Sequence, residues 1–276
     1  MKSIFGWVLL ASTYGVAFSE FVTKKNGLQV DVYHQPPAGV VYQNSTDSSF
    51  SPTAFTLIHG EHDAILVDSP ATIAQGHIIQ QSYPGAQVVA KKDVYDHMLQ
   101  QYEPAVFKSV WASLFPGGQV TDTPLAAKVL SQNGTFHLEG HVLQAVEVGQ
   151  SDTYNTTALH VPDLDLVVGG DVIYGHCHQL FAEDSSHELR QKWLISLDEA
   201  AALNPKVVVP SHMQAHDRYQ PSHINETKRH IHFWEQLLAN SSSWQELEAK
   251  VKKAFPLRTG NFVPRWSSQA PFSAAF

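Results

Sequence analysis

The sequence is poor in cysteine and in blocks of like charge. Cys177 is its one cysteine in 276 residues, which excludes a disulfide within the chain and leaves stability to a hydrophobic core. Hydrophobic residues make up 43% of the chain, so a disordered protein is excluded. A formal net charge of -8 without basic clusters repels phosphate backbones, so nucleic acid is not an expected partner.

Long apolar runs are also missing beyond the N-terminus, so we expect no membrane span. The first residues differ from the rest. Lys2 precedes a largely apolar stretch from Gly6 to Phe18, and small residues occupy the third-last and last positions of residues 1–19. We predict a cleaved signal peptide over 1–19 and a single secreted domain over 20–276. The alternative for the first segment is a core helix or a membrane anchor.

Sequons for N-glycosylation are frequent. Five asparagines begin N-x-S/T without proline in the middle position: Asn44, Asn133, Asn155, Asn225 and Asn240. Behind a signal peptide in a eukaryote, these sites predict a glycoprotein.

Common catalytic motifs are absent: the sequence has no G-x-S-x-G elbow, no Walker loop and no G-x-G-x-x-G. Histidine is plentiful, with 16 residues. His176 and His178 flank Cys177, and residues two apart on a strand share a face. This cluster has two interpretations, a replacement metal site or polar residues that line a pocket.

Strand and helix patterns mix along the whole chain without a flexible linker. The predicted strands are Leu28–His34, Gly39–Gln43, Ala54–Ile58, Ala64–Asp68, Ala86–Ala90, Thr135–Leu138, His141–Val148, Thr156–Val161, Leu164–Gly169 and Lys206–Pro210. The predicted helices are Thr72–Gln81, Asp93–Tyr102, Val106–Leu114, Asp184–Leu203, Ile224–Leu238 and one from the capping box at Ser243-x-x-Glu246 to Pro256. This order favours an α/β sandwich with sheets inside and helices outside.

Four stretches occur in an order that resembles the metallo-β-lactamase superfamily. They are Asp63–Asp68 (DAILVD), Gly149–Thr153 (GQSDT), Leu166–Tyr174 (LVVGGDVIY) and Val207–Met213 (VVVPSHM). The resemblance covers nearly the whole mature chain. It implies an αββα sandwich and a zinc-dependent hydrolase that acts on small molecules such as esters or lactones.

The resemblance also implies roles for single residues. Asp171 corresponds to the metal-bridging ligand and His212 to the C-terminal histidine ligand. Gln150 stands where the family has a histidine ligand, and an amide oxygen is a weaker zinc ligand than imidazole.

Four more residues are expected around these ligands. Asp68 corresponds to a group that orients ligands. Asp152 is expected to shape the loop beside the pocket, where His176 and His178 contribute polar side chains.

The main departure from the family is the absence of its H-x-H-x-D-H metal loop. Only 17 residues, Ser69 to Gly85, separate Asp68 from the next apolar strand. One helix fits in this length, but a helix, a strand, a metal loop and a second helix do not. A unit of about 30 residues is therefore missing, by the size of a βαβ unit.

Three hypotheses follow. In the first two, the chain has a metal-dependent hydrolase lineage with an impaired zinc site, and zinc binding is weak or absent. It is then a non-catalytic binding protein (a pseudoenzyme), or it is an incomplete gene product of an active zinc hydrolase. The third hypothesis is a chain that folds poorly, because losing a strand and two helices exposes apolar faces and strand edges.

Overall fold

A computed structural model describes residues 11–12, 15–16, 18–68, 72, 85–124 and 126–273. The strands within these ranges are β1 (Ala11–Ser12), β2 (Gly15–Val16), β3 (Phe18–Lys25), β4 (Leu28–Gln35), β5 (Gly39–Tyr42), β6 (Ser45–Ser49), β7 (Thr53–His59), β8 (Ala64–Val67), β9 (Val89–Ala90), β10 (Lys128–Val129), β11 (Thr135–Leu138), β12 (His141–Gly149), β13 (Thr156–Val161), β14 (Leu166–Tyr174) and β15 (Val207–His212). The helices are α1 (Lys92–Gln101), α2 (Pro104–Ser109), α3 (Trp111–Leu114), α4 (His187–Ala202), α5 (Ser222–Ala239), α6 (Trp244–Ala254) and α7 (Val263–Gln269). None of the helices in these ranges has the length and apolar character that crossing a bilayer requires.

Two sheets form the centre of the fold. One has the order β11-β12-β13-β14-β15 and is antiparallel except for its last pair, β14 and β15. The other is the antiparallel sheet β3-β4-β7-β8. Their facing sides share one buried apolar cluster, in which Val30 and Ile58 of the second sheet join Leu143 and Val209 of the first. Strand β4 alternates buried and half-buried residues, as a strand does when one face is covered.

Helices α4, α5 and α6 cover the other face of the five-stranded sheet. Trp193 of α4 and Trp234 of α5 are fully buried in this layer beside Val167 and Val208 of the sheet. Helix α4 begins after Ser186, whose Oγ accepts a hydrogen bond from the Leu189 amide. The α/β sandwich predicted from the sequence is confirmed.

Several boundaries differ from the prediction for local reasons. The helix predicted over Val106–Leu114 is divided at Val110 into α2 and α3. The strand predicted from Leu164 starts two residues later, because Asp165 adopts a left-handed conformation (φ 51°) after a 3₁₀ turn. That strand also continues to Tyr174, beyond the predicted end.

Other differences concern the segment between β8 and α1 and the C-terminal part of the chain. The strand predicted over Ala86–Ala90 is regular only at β9. The helix predicted over Thr72–Gln81 lies outside the described residues, apart from Thr72. Helix α7 was not predicted.

Strands β8 and β9 lie in different sheets. Among the described residues, β8 pairs with β7 alone, and β9 pairs in parallel with β10 alone. The segment 69–84 between them is described only at Thr72.

Candidate functional site

The candidate site lies at the ends of the parallel strands β14 and β15. The register of this pair shifts at Gly170, which has a φ of 53° that favours glycine. Such an irregularity re-aims the following side chain, here that of Asp171. His212 ends β15 and pairs with Tyr174 at the end of β14.

Asp171 and His212 contact each other across the strand ends. His212 Nε2 lies 3.4 Å from Asp171 Oδ1. The other ring nitrogen, Nδ1, lies 3.2 Å from the Pro52 carbonyl oxygen. A carbonyl can only accept, so Nδ1 carries a proton in this hydrogen bond, and Nε2 of a neutral ring turns its lone pair toward the carboxylate. Two acceptors this close favour a shared proton or a bound cation.

Asp68 joins this pair from the second sheet. It follows β8 in a left-handed conformation (φ 66°), and its Oδ2 accepts a hydrogen bond from Ser211 Oγ. The residue as a whole is exposed, but its carboxyl group lies beside Ser211, Asp171 and His212. Desolvation, with the negative charge of Asp171 as a further cause, raises the pKa of Asp68 to about 6.

Asp152 is buried beside the same site. Its Oδ2 accepts a hydrogen bond of 2.6 Å from the Tyr174 hydroxyl, and its Oδ1 accepts one of 3.3 Å from Ser151 Oγ. Burial raises the pKa of Asp152 well above its usual range, and the negative charge of Asp171 raises it further. The carboxyl group of Asp152 is therefore buried and fixed by hydrogen bonds from Tyr174 and Ser151.

Gln150 turns its amide nitrogen to a buried carboxyl group. Its Nε2 donates to Asp184 Oδ1 at 2.8 Å. Asp184 is fully buried, and burial raises its pKa to about 8 despite this hydrogen bond and the nearby charge of Arg190. Because a buried acceptor that loses its donor costs about 1–3 kcal/mol, this contact holds the Gln150 amide nitrogen on Asp184.

The histidines of the H-C-H cluster face different groups. The His176 ring pairs with Asp217 through Nδ1, and its Nε2 lies 3.8 Å from Glu226 Oε2. His178 is buried, and burial lowers its pKa to about 3. Cys177 is fully buried between them, and desolvation raises the pKa of its thiol to about 12, so it is a poor nucleophile.

The described residues do not match a zinc site of the family. A catalytic zinc takes three protein ligands and keeps a fourth position open for water. Within the described ranges, no three His, Cys, Asp or Glu side chains converge as a metal-binding group. Asp171 and His212 are two suitable donors, whereas Gln150 and Asp152 hydrogen-bond to protein groups.

Three residues of the site were missed by sequence reasoning: Tyr174, Asp184 and Ser211. Tyr174 and Ser211 lie next to residues that were singled out on the same strands, so the strand ends were a usable signal. Asp184 lies 34 residues from Gln150, and nothing in the local sequence indicates their contact.

Comparison with known proteins identifies the family and the fold that this chain resembles. The family model described as the metallo-beta-lactamase superfamily matches residues 77–212. A metallo-beta-lactamase family protein from Thermus thermophilus superimposes with a TM-score of 0.57 at 16% identity, over 88% of this chain and 91% of that one. The metallo-beta-lactamase IND-7 gives a TM-score of 0.53 at 10% identity, over 78% and 98%. Comparison with curated protein sequences gave no match.

The family match over residues 77–212 and the shared fold support the metallo-β-lactamase superfamily and a metallo-hydrolase lineage. The chain is a variant whose sequence lacks the H-x-H-x-D-H string. The family match begins at His77, nine positions after Asp68, and so starts beyond β8.

Proposed function

We propose that this chain is a secreted, non-catalytic member of the superfamily, which keeps the sandwich and a small-molecule pocket but no longer holds zinc tightly. One observation carries the proposal. Gln150, which replaces a histidine ligand, donates its amide hydrogen to the buried Asp184. Zinc would have to be held by Asp171 and His212 with water, which falls short of the three protein ligands of a catalytic site.

Metal content and turnover test this proposal directly. The purified chain is incubated with zinc and desalted, and bound metal is measured by mass spectrometry. Lactam, lactone and thioester probes are then assayed with and without chelator. We expect well under one zinc per chain and no hydrolysis above buffer. One zinc per chain, with turnover that chelator abolishes, would refute the proposal.

A pair of variants tests whether the glutamine at position 150 weakens zinc binding separately from the absent H-x-H-x-D-H loop. Gln150→His restores the imidazole and should strengthen residual zinc binding, while destabilising the fold because Asp184 loses its donor. His212→Ala should remove the residual binding. Equal zinc binding in both variants would place the metal elsewhere.

The exposure of the sequons supports glycosylation, should the chain be secreted as its N-terminus predicts. All five sequon asparagines are exposed on the surface of the fold. Expression in a eukaryotic secretory host should give medium-borne protein that begins at Glu20 and loses mass on treatment with N-glycosidase. Retention in the cell with an intact N-terminus would contradict the signal peptide.

An incomplete copy of an active zinc hydrolase is the second candidate. An otherwise intact family resemblance that lacks one contiguous segment, the one with H-x-H-x-D-H, favours it. Sequencing the cDNA across Thr72 to Gln87 decides between the two. An insert that carries H-x-H-x-D-H supports the incomplete copy, and the short junction supports the non-catalytic protein.

A further inference from the structure

A cavity lined by neither Asp171 nor His212 lies between helix α5, the end of α6 and the segment after β14. Its volume is about 370 Å³, within the ~300–1,000 Å³ of small-molecule sites. Helix α5 supplies four lining residues at positions i, i+3, i+4 and i+7, which share one helix face: Glu226, Arg229, His230 and Phe233.

The cavity has an apolar wall. Phe233 is 41% exposed, and its ring centroid lies 5.3 Å from that of Phe255. The Phe255 ring also contacts His230, with centroids 4.3 Å apart. The two phenylalanines form a surface on which an aromatic or alkyl group can pack.

Two arginines give the cavity its positive charge. Arg258 donates from Nη1 to the carbonyl oxygens of Gly175 and Cys177, and within the described residues both of its hydrogen bonds leave from that atom. Its Nε and Nη2 donors are therefore left for a ligand. Arg229 has a 73% exposed side chain, and its only ion pair in the described part of the chain is a long one of 3.9 Å to Glu226.

The negative charge of Glu226 is offset by its neighbours. Its Oε2 lies 3.8 Å from His176 Nε2 and 3.6 Å from His223 Nδ1, and its Oε1 faces Arg229. The charged side chains that line the cavity are two arginines and one glutamate, so the lining carries a net positive charge that favours an anion.

A buried polar group lines the same cavity. His230 is 2% exposed, and neither of its ring nitrogens has a hydrogen-bond partner among the described residues. Buried polar groups without partners are rare, and a missing ligand is one of the explanations for them.

We propose that this cavity is a binding site for a small amphiphilic carboxylate, with Arg229 and Arg258 holding the carboxylate and Phe233 and Phe255 packing against its aromatic or alkyl body. The site stands independently of whether zinc binds near Asp171. It gives the chain a ligand-binding role that needs no hydrolysis.

Binding is measured by calorimetry and by saturation-transfer NMR with two matched probe pairs: phenylacetate with phenylacetamide, and hexanoate with hexanol. We expect the two carboxylates to bind and each neutral partner to bind about tenfold or more weakly, a difference of ~1.4 kcal/mol. Equal binding of acid and neutral partner, or no binding of either acid, would overturn the proposal.

Surface variants place the site without threatening the fold. Arg229→Gln should weaken binding of the two carboxylates and leave binding of the neutral probes unchanged. Phe233→Ala should weaken binding of all four probes. Arg218→Gln and Ile195→Ala are matched controls, since both residues are exposed and lie outside the cavity lining. Carboxylate binding that is the same in Arg229→Gln and Arg218→Gln would put the site elsewhere.

Discussion

His212 Nε2 points at Asp171 Oδ1 from 3.4 Å, while His212 Nδ1 is held by the Pro52 carbonyl oxygen. The carbonyl fixes the proton on Nδ1, so Nε2 is the atom that would bind a metal. The hydrogen bond to Pro52 therefore orients the His212 ring so that Nε2 faces Asp171.

The charge of Asp171 is predicted to act on its neighbours. Asp171→Asn removes a negative charge that raises the pKa of Asp68 and of Asp152, so both pKa values should fall. For Asp68 the fall starts from about 6. Carboxyl-carbon NMR titration measures it, with the exposed Asp47→Asn as control. An unchanged Asp68 titration in Asp171→Asn would contradict the coupling.

Asp184 is predicted to make the fold less stable as pH rises. Its folded-state pKa is about 8, above the value of about 4 in an unfolded chain. Between these values the unfolded state binds fewer protons than the folded state, so the free energy of unfolding falls as pH rises, by at most ~1.4 kcal/mol per pH unit for one group. The stabilising contribution is complete below pH 4 and is lost by pH 8.

Urea unfolding at several pH values between 5 and 8 tests this prediction. Asp184→Asn keeps an acceptor for Gln150 and cannot ionise, so its stability should fall less steeply than that of the wild type. The buried His178 and His230 have lowered pKa values and act in the opposite direction below about pH 6.5, which is why the difference between the two proteins is the relevant quantity. Parallel curves would rule out Asp184 as the source.

Glu139 is predicted to hold the turn between β7 and β8. Its carboxylate accepts hydrogen bonds from the amides of Glu61, His62 and Asp63, which lower its pKa to about 2. A Cβ at Gly60 would lie 2.4 Å from Glu139 Cδ, so Gly60→Ala should displace the carboxylate and break the same hydrogen bonds.

A double-mutant cycle tests this relationship. Gly60→Ala and Glu139→Ala should each destabilise the fold, and the double variant should lose about as much as either single one, because both remove one set of contacts. Gly39→Ala is the control, since an added Cβ there meets nothing within 4 Å. Additive losses would show that Gly60 and Glu139 act independently.

Local signals predicted much of the fold and part of the site. The N-cap at Ser243 forms as expected, with its Oγ accepting from the Glu246 amide at 3.3 Å, and α6 follows it, while the Glu246 carboxylate accepts from the amide of Ser242 rather than of Ser243. The apolar strand DAILVD and its terminal Asp68 also lie where the pattern indicated. These features depend on residues a few positions apart, which a sequence displays directly.

The rest depends on contacts between distant segments. Gln150 reaches Asp184, and Asp152 reaches Tyr174, through packing of loops and strand ends that no local pattern encodes. The cavity on α5 was missed for the same reason. Its helix spacing is visible in the sequence, but the arginine and phenylalanine from the segment after α6 are placed by tertiary packing.

The strand pair β9–β10 is predicted to be the least stable part of the described sheets. Two backbone hydrogen bonds, from Lys128 to Val88 and from Leu130 to Ala90, extend this pairing, and Val89 is 39% exposed. Strands β14 and β15 are buried in the sandwich and should open only with the whole domain.

Hydrogen exchange measured by mass spectrometry should therefore show fast exchange over 86–90 and 126–130 and slow exchange over 166–174 and 207–212. Protection in β9–β10 equal to that in β14–β15 would show that the pair unfolds only with the whole domain. A longer form that carries a strand between β8 and β9 should exchange slowly in β9, because its hydrogen bonds would then lie inside a continuous sheet. The same measurement on both forms thus compares the local stability of β9 with and without a strand between β8 and β9.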